Sequence, residues 1–140
     1  MPVKLMADRP EGCIKIGREI LIHGSFLHAY KYIEIAKKCL IEANCQIIDC
    51  NGHLLSFDKV SNRINTNDDG VYVIIGDNVL IGTGTIISPG GQIGKGVVIA
   101  AGSIVTKDIP AMVIADDNLA KTIKYVKLFN ACHLLAHSAC

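Results

Sequence analysis

A repeat of six residues runs through the centre of the 140-residue sequence, between Ile75 and Pro110. The first position of each hexad is a branched aliphatic residue: Ile75, Ile81, Ile87, Ile93, Ile99 and Val105. The second position is small: Gly76, Gly82, Ser88, Gly94, Ala100 and Thr106. The fourth position holds a residue type that tolerates a left-handed backbone: Asn78, Gly84, Gly90, Gly96, Gly102 and Asp108. A strand that turns a corner every six residues needs all three features, so the period predicts a parallel β-helix.

Three hexads make one triangular coil of 18 residues, which predicts the residues that stack in successive coils. The expected stacked pairs are Ile75 with Ile93, Ile81 with Ile99, and Ile87 with Val105. A less regular form of the period occurs over residues 16–22 and 35–47, with one extra residue near 28–32. The sequence therefore predicts an all-β solenoid of about four coils, roughly 20 Å tall at ~4.8 Å per coil.

The composition fits one domain over residues 1–140. Half of the residues are apolar, but only three are Phe, four are Tyr and none is Trp, so Ile and Val must form the core. The net charge of +1 predicts no general attraction to nucleic acid or to an anionic membrane. No apolar run resembles a signal peptide or reaches membrane-spanning length, and the expected location is the cytoplasm.

Two segments depart from the hexad period. Residues 53–72 are polar and rich in turn-forming types, which predicts a loop arm that protrudes between two coils. After Pro110 the period ends, and an acidic cluster at residues 116–118 precedes a pattern typical of a helix. We expect a C-terminal α-helix over about residues 118–136 that covers the open end of the solenoid.

Six cysteines occur, and none forms a Cys-x-x-Cys pair, so reduced thiols are expected in a cytoplasmic chain. Cys39 and Cys45 fall at a core position of the repeat and should behave as small apolar residues. Two groups could suggest zinc: the first is His23, His28 and His53, and the second is Cys132, His133, His137 and Cys140. Neither has a recognised ligand spacing, and no metal is predicted.

His53 differs from the other histidines because it ends a coil and begins the polar arm. A histidine beside a groove is a candidate general base, since its ordinary pKa lies close to working pH. The alternative is a histidine in a surface turn. Position alone leaves these two interpretations equally open.

Residues 73–124 resemble the hexapeptide-repeat acyltransferases, whose fold is a left-handed parallel β-helix. The resemblance rests on three stretches: Ile75-Gly76-Asp77-Asn78-Val79-Leu80-Ile81-Gly82, Ala101-Gly102-Ser103-Ile104-Val105-Thr106-Lys107-Asp108-Ile109-Pro110, and Asn118-Leu119-Ala120-Lys121-Thr122-Ile123-Lys124. Within the family, the sequence is most similar to sugar O-acetyltransferases of the galactoside, maltose and capsular-polysaccharide type. The stretch Asn51-Gly52-His53 resembles the segment that carries their catalytic histidine.

The resemblance implies a role for individual residues. His53 matches the general base. Thr83 and Ala101 match positions that meet the pantetheine arm of acetyl-CoA, Thr106 and Lys107 match the pair near its nucleotide end, and Lys121 and Lys124 match residues that meet its phosphates. His23 matches a position that contacts the acceptor in galactoside-type relatives. Asp117 and Leu119 depart from the family's usual glycine and proline.

We therefore expect a homotrimeric, acetyl-CoA-dependent O-acetyltransferase that acts on a hydroxyl of a sugar or saccharide. Transfer should be direct, with His53 as the general base and with Asp49 or Asn51 orienting its ring. The alternatives are a non-catalytic β-helix scaffold, an acetyltransferase for serine or another small molecule, and a zinc lyase on the same fold. Acetyl-CoA binding, an acceptor screen and metal content distinguish them.

Overall fold

Short strands alternate with tight corners along the chain in the computed structural model, which describes residues 1–126. The strands are β1 (Lys4–Ala7), β2 (Cys13–Ile16), β3 (Leu21–Ile22), β4 (Phe26–Ala29), β5 (Tyr32–Ile35), β6 (Leu40–Ile41), β7 (Gln46–Ile48), β8 (Val73–Ile75), β9 (Leu80–Ile81), β10 (Ile86–Ile87), β11 (Gln92–Ile93), β12 (Val98–Ile99), β13 (Ile104–Val105), β14 (Val113–Asp116) and β15 (Lys121–Tyr125). Most of these strands have two to four residues, as a six-residue period with a corner in each repeat requires.

Every third strand joins the same sheet, which gives the three faces of a triangular prism. Sheet A has the order β1-β4-β7-β10-β13, sheet B the order β11-β8-β5-β2, and sheet C the order β15-β14-β12-β9-β6-β3. All pairings within these sheets are parallel except the one between β14 and β15. The all-β solenoid predicted from the hexad period is confirmed.

The predicted stacking of the aliphatic residues is also confirmed. Ile75 pairs with Ile93 in sheet B, and the corresponding pairs in the other sheets are Ile81 with Ile99 and Ile87 with Val105. These side chains are buried in one continuous core, which also includes the thiols of Cys39 and Cys45, as expected. The repeated aliphatic residue therefore fills the prism, and no aromatic side chain is needed at its centre.

The corners explain the other two features of the hexad. Asn78, Gly84, Gly90, Gly96 and Gly102 have positive φ, as their residue types predict. The sixth such position is different, because Asp108 uses its carboxylate to accept the N–H of Gln92 at 3.2 Å. The small second position reflects close stacking: a Cβ on Gly82 would lie 2.5 Å from the backbone nitrogen of Ala101 in the next coil.

The prism has four complete coils and a shortened fifth, compared with the expected number of about four. In the fifth coil, β13 and β14 lie on sheets A and C, and a single bridge from Ile109 to Ile93 stands in for the strand of sheet B. The difference arises at the N-terminus, where β1 and β2 form a coil that the hexad period only partly reveals.

The connection between β7 and β8 spans residues 49–72 and includes residues 53–72, the segment expected to be an arm. Within it, a short 3-10 helix spans Val60–Asn65 and buries none of its residues. The arm is less polar at its surface than its sequence suggested. Its exposed large apolar side chains are Leu54, Leu55, Phe57, Val60, Ile64, Val71 and Tyr72.

The C-terminal helix predicted for about residues 118–136 is wrong over the part that the structure describes. Residues Lys121–Tyr125 form β15, which pairs antiparallel with β14. Thr122, Ile123 and Tyr125 favour a strand, and the open edge of β14 offers backbone partners that a helix would leave unpaired. The rest of the predicted helix, residues 127–136, lies outside the described residues. No helix within residues 1–126 is long and apolar enough to cross a membrane.

Candidate functional site

All of the predicted site residues except Lys121 and Lys124 lie on two edges of the prism. The AB edge consists of the connections from sheet A to sheet B at residues 8–12, 30–31, 49–72, 88–91 and 106–108. The CA edge consists of the connections from sheet C to sheet A at residues 23–25, 42–45, 82–85 and 100–103. The turn at residues 117–120 joins β14 to β15 within sheet C, and its Asn118 bridges to Ile104 of β13 beside this edge. Both edges border sheet A, so a site that uses both must bridge the width of one face or form between two chains.

His53 lies at the start of the arm on the AB edge, and its side chain is exposed. Its Nδ1 lies 3.2 Å from the carbonyl oxygen of Leu54. A carbonyl can only accept, so Nδ1 is the donor in this contact, and the tautomer that it favours has its lone pair on Nε2. A nitrogen in that state can remove a proton from a hydroxyl group.

Two hydrogen bonds across the arm hold the backbone on either side of His53. The N–H of Asn51 donates to Oδ2 of Asp68 at 2.6 Å, and the N–H of Leu54 donates to Oγ1 of Thr66 at 3.1 Å. Thr66 is anchored in turn, because its hydroxyl donates to the carbonyl of Arg63 at 2.9 Å. The two bonds across the arm join residues 51–54 at its start to residues 66–68 near its end, and together the two segments form a stem. The stem fixes the position of His53.

The sequence left Asp49 or Asn51 as the group that orients the imidazole, and the structure favours neither. Both carboxylate oxygens of Asp49 are engaged by the backbone N–H groups of Tyr30, Lys31 and Tyr32, at 2.7 Å each. Asn51 is held by its backbone N–H, which donates to Asp68. The orienting acceptor of the ring is the carbonyl of Leu54, a backbone group that residue types alone do not reveal.

Asp49, expected from the sequence as a possible partner of His53, has a structural role instead. Its side chain is fully buried, its N–H donates to the carbonyl of His28, and its carbonyl accepts the N–H of Val71 at 2.6 Å. It thus joins the second coil, the third coil and the end of the arm. The sequence signal was an acidic residue directly after the aliphatic pair of β7, where a buried carboxylate needs several donors.

The predicted coenzyme residues divide between the two edges. Thr83 and Ala101 lie on the CA edge in the third and fourth coils, and both are exposed. Thr106 and Lys107 lie on the AB edge in the fifth coil, on the same edge as His53. The hydroxyl of Thr83 donates to the carbonyl of Ala43 at 3.0 Å, so its methyl group and its backbone N–H remain for a ligand.

Lys121 and Lys124 lie on β15 at the C-terminal end of the described solenoid. Lys121 forms an ion pair with Asp117 at 3.1 Å beside the CA edge, whereas Lys124 faces Ile114 across the antiparallel pair. The N–H of Asn118 and the ammonium group of Lys121 hold the pKa of Asp117 below its ordinary value. The acid thus lowers the positive charge that Lys121 can offer to a phosphate.

His23, the predicted acceptor contact, lies on the CA edge in the first coil. Its Nδ1 is 3.3 Å from Oε2 of Glu42. His28 is on the outer side of sheet A, 3.6 Å from Asp8 and in contact with the rings of Phe26 and Tyr30. The three histidines therefore lie apart, each with its own partner.

Neither zinc site considered from the sequence gains support. Within residues 1–126, no group of three or more His, Cys, Asp or Glu side chains could hold a metal ion. The group at Cys132, His133, His137 and Cys140 lies outside the described residues.

Burial raises the pKa of Cys50 to about 11, with the nearby carboxylates of Asp49 and Asp68 adding to the effect.

Comparisons with known proteins agree with this architecture. Residues 72–107 match the family model described as the hexapeptide repeat of succinyl-transferase. A Saccharomyces cerevisiae protein whose name describes it as a candidate acetyltransferase is 48% identical over 75 residues, which cover 54% of this chain and 37% of the relative. The chain thus spans well under half the length of this curated relative.

Two solved structures are similar over nearly the whole chain. A maltose O-acetyltransferase from Clostridium difficile 630 is 31% identical, with a TM-score of 0.71 over 91% of this chain and 68% of its own. A galactoside acetyltransferase in complex with coenzyme A is 31% identical, with a TM-score of 0.79 over 91% of this chain and 60% of its own. The chain belongs to the hexapeptide-repeat acyltransferases, and its fold is their left-handed parallel β-helix.

Proposed function

We propose that this protein is an acetyl-CoA-dependent O-acetyltransferase whose acceptor is a hydroxyl of a sugar or saccharide. The observation that carries the proposal is the state of His53: exposed, fixed by the stem of the arm, and with Nδ1 bonded to the carbonyl of Leu54. The similar maltose and galactoside enzymes support a sugar acceptor, and the coenzyme A bound to the latter supports the cosubstrate.

The proposed reaction is a direct transfer. Nε2 of His53 removes the proton of the acceptor hydroxyl while that oxygen attacks the thioester carbonyl of acetyl-CoA. The tetrahedral intermediate then collapses, its C–S bond breaks, and the imidazolium returns the proton to the leaving thiolate. The products are the O-acetylated sugar and coenzyme A. Holding both substrates beside one base accounts for much of the rate gain in such a reaction.

The proposed assembly is a cyclic homotrimer with sheet A turned toward the axis. His53, Thr106 and Lys107 border one side of sheet A, whereas Thr83 and Ala101 border the other. In a closed ring with sheet A inside, the AB edge of each chain meets the CA edge of the next. Three equivalent sites then form, each with the histidine of one chain and coenzyme contacts from two chains.

The side chains on the outer face of sheet A support this orientation. The outward positions include the half-buried apolar side chains of Phe26, Ile48, Ile86 and Ile104, with the polar side chains of Lys4, His28 and Gln46 nearer the N-terminal end. Sheet B carries instead an ion pair between Lys15 and Glu34 at 2.8 Å, which suits a face in water. The ammonium group of Lys15 and the hydroxyl of Tyr32 lower the pKa of Glu34, so that carboxylate stays charged.

Acetyl-CoA consumption with a panel of hexoses, sugar nucleotides and amino acids tests the function. We expect coenzyme A release that depends on a sugar and yields an ester. Equal release with serine and no sugar dependence would favour the small-molecule alternative. Failure to bind acetyl-CoA would favour a scaffold.

A further inference from the structure

Two cations on the AB edge lie on the N-terminal side of His53, away from the proposed coenzyme contacts at Thr106 and Lys107. Arg9 belongs to the first coil and Lys31 to the second, whereas His53 leaves the same edge in the third. Successive coils are ~4.8 Å apart, so these cations lie one and two steps, ~5–10 Å along the axis, from the start of the arm. None of the predicted roles includes them.

Aromatic rings hold both cations in place. The guanidinium carbon of Arg9 is 4.1 Å from the centre of the Tyr30 ring, and Nζ of Lys31 is 5.3 Å from the centre of the Tyr72 ring. A guanidinium stacked on a ring keeps its in-plane N–H donors free, and that fork matches a carboxylate or a phosphate. Stacking therefore orders the cation without consuming its hydrogen bonds.

The backbone beneath these rings is rigid. Asp49 accepts the N–H groups of Tyr30 and Lys31, which fixes the start of both side chains. The ring of Tyr30 also contacts His28 edge-on at 5.1 Å, and the ring of Tyr72 lies 5.5 Å from that of Tyr32. The aromatic groups are therefore a preformed platform that includes the end of the arm.

The carboxylates of this region do not neutralise the two cations. Among the described residues, neither Arg9 nor Lys31 forms an ion pair. Asp8 lies 3.6 Å from Nε2 of His28, and Asp68 accepts the N–H of Asn51. Asp49 is saturated by backbone donors. Among residues 1–126, Oδ1 of Asp68 has no hydrogen-bond partner, and Glu11 and Asp69 lie on the same edge. What distinguishes the two cations is that, among the described residues, no carboxylate lies within ion-pair distance of either.

We propose that Arg9 and Lys31, on their tyrosine platform, bind an anionic group of the acceptor, so that the preferred sugar carries a carboxylate or a phosphate. This inference rests on the proposed function, because it uses the side of His53 opposite to the coenzyme as the acceptor side. The anionic group selects the acceptor and places one of its hydroxyls beside Nε2 of His53. In both cases the acceptor is a sugar that carries a negative charge.

The test is calorimetric titration of the full chain, loaded with coenzyme A, at one ionic strength. The ligands are glucuronate, glucose 6-phosphate and glucose, which share a ring and differ in charge. We expect at least one of the two anions to bind about tenfold or more tightly than glucose, as expected for a hydrogen bond to a charged group. The anion that binds more tightly shows whether the site prefers a carboxylate or a phosphate.

Variants assign the effect to the two cations. The double variant Arg9→Gln, Lys31→Gln should lose about tenfold or more in affinity for the preferred anion, with glucose unchanged. The matched control Arg18→Gln, Lys95→Gln removes the same charge from the edge between sheets B and C and should change neither. Arg9→Lys should lose part of the affinity, because a lysine keeps the charge but lacks the fork.

Acetyl transfer, measured separately, keeps this inference distinct from the proposed function. If an anion binds and its binding needs Arg9 and Lys31, but no sugar is acetylated, the anion site is supported and the proposed acetyltransferase function is contradicted. Transfer to glucose and glucuronate with equal efficiency would retain the enzyme and overturn the anion site. Equal losses in the cation variant and its charge-matched control would also overturn it.

Discussion

The carboxylate of Asp49 lies 2.7 Å from the backbone nitrogen of Lys31, in the preceding coil, and is fully buried. The same carboxylate accepts the N–H groups of Tyr30 and Tyr32, and the carbonyl of Asp49 accepts the N–H of Val71. The side chain of Asp49 thus closes the corner of the second coil. Its backbone carbonyl holds Val71, where the arm returns to the third coil. The position of the arm depends on this corner.

Asp49→Ala should lower the free energy of unfolding by about 3 kcal/mol, because it removes the shared acceptor of three partly buried N–H groups. Asp49→Asn should lower it less, because the amide retains one acceptor oxygen. Chemical denaturation measures both changes. Asp58→Ala, at an exposed position in the arm, is the control and should change the stability little. An Asp49→Ala variant as stable as this control would contradict the role given to the corner.

Cysteine reactivity should follow burial. Burial raises the pKa of the Cys39, Cys45 and Cys50 thiols, whereas Cys13 is exposed. At pH 8, the three buried thiols should therefore react slowly with iodoacetamide in the folded protein, because the thiolate is the reactive form. Among these four residues, peptide mapping against time should show Cys13 labelled first, and all four labelled in denaturant. Labelling of native Cys50 as fast as Cys13 would contradict the placement of β7 and its corner.

Coenzyme affinity should depend on the lysines at the C-terminal end of the described solenoid. The triple variant Lys107→Ala, Lys121→Ala, Lys124→Ala should bind acetyl-CoA more weakly, by a modest and salt-sensitive factor, because these side chains are exposed. Lys121 should contribute least, since Asp117 already offsets its charge. The control Lys37→Ala, Lys38→Ala, Lys95→Ala removes the same charge elsewhere. Equal affinity of parent and first variant at low salt would rule out the assigned phosphate contacts.

Assembly should depend on sheet A. Ile86→Glu places a charge on the outer side of this sheet and should convert the trimer to monomers, because a buried unpaired charge is costly. Ile74→Glu makes the same change on sheet B and should leave the trimer intact. Sedimentation velocity at micromolar concentration distinguishes the species. A parent protein that is monomeric under these conditions would exclude the shared site.

The hexad period predicted the prism, its stacked pairs and most of its corners, because each of these depends on local geometry that repeats. It did not predict β15. The segment Lys121–Tyr125 has apolar residues compatible with a helical pattern, and its conformation is decided by the open edge of β14, which is a tertiary feature. A single-sequence pattern contains no information about such an edge.

The site could be predicted only in part. His53 stood out because it follows a regular coil and precedes the arm, and it lies in the connection between β7 and β8. The group that orients its ring is a backbone carbonyl, which no side-chain pattern indicates. The proposed role of Arg9 and Lys31 was not foreseen, because these residues are 22 positions apart in the sequence and come to lie on adjacent coils only after folding.

The most direct test of the proposed function is the turnover number of His53→Ala with an acceptor identified in the sugar screen. His53 contributes no side chain to the core, so trimer assembly and acetyl-CoA affinity should stay close to the parental values. His23→Ala serves as the comparison and should cost less, because that residue is assigned to the acceptor and not to proton transfer.

We predict that kcat of His53→Ala falls by about 10²–10⁴-fold, the usual cost of losing a general base. The measurement is the steady-state release of coenzyme A at saturating acetyl-CoA and acceptor. A variant that keeps more than about a tenth of the parental kcat would contradict the general-base role of His53.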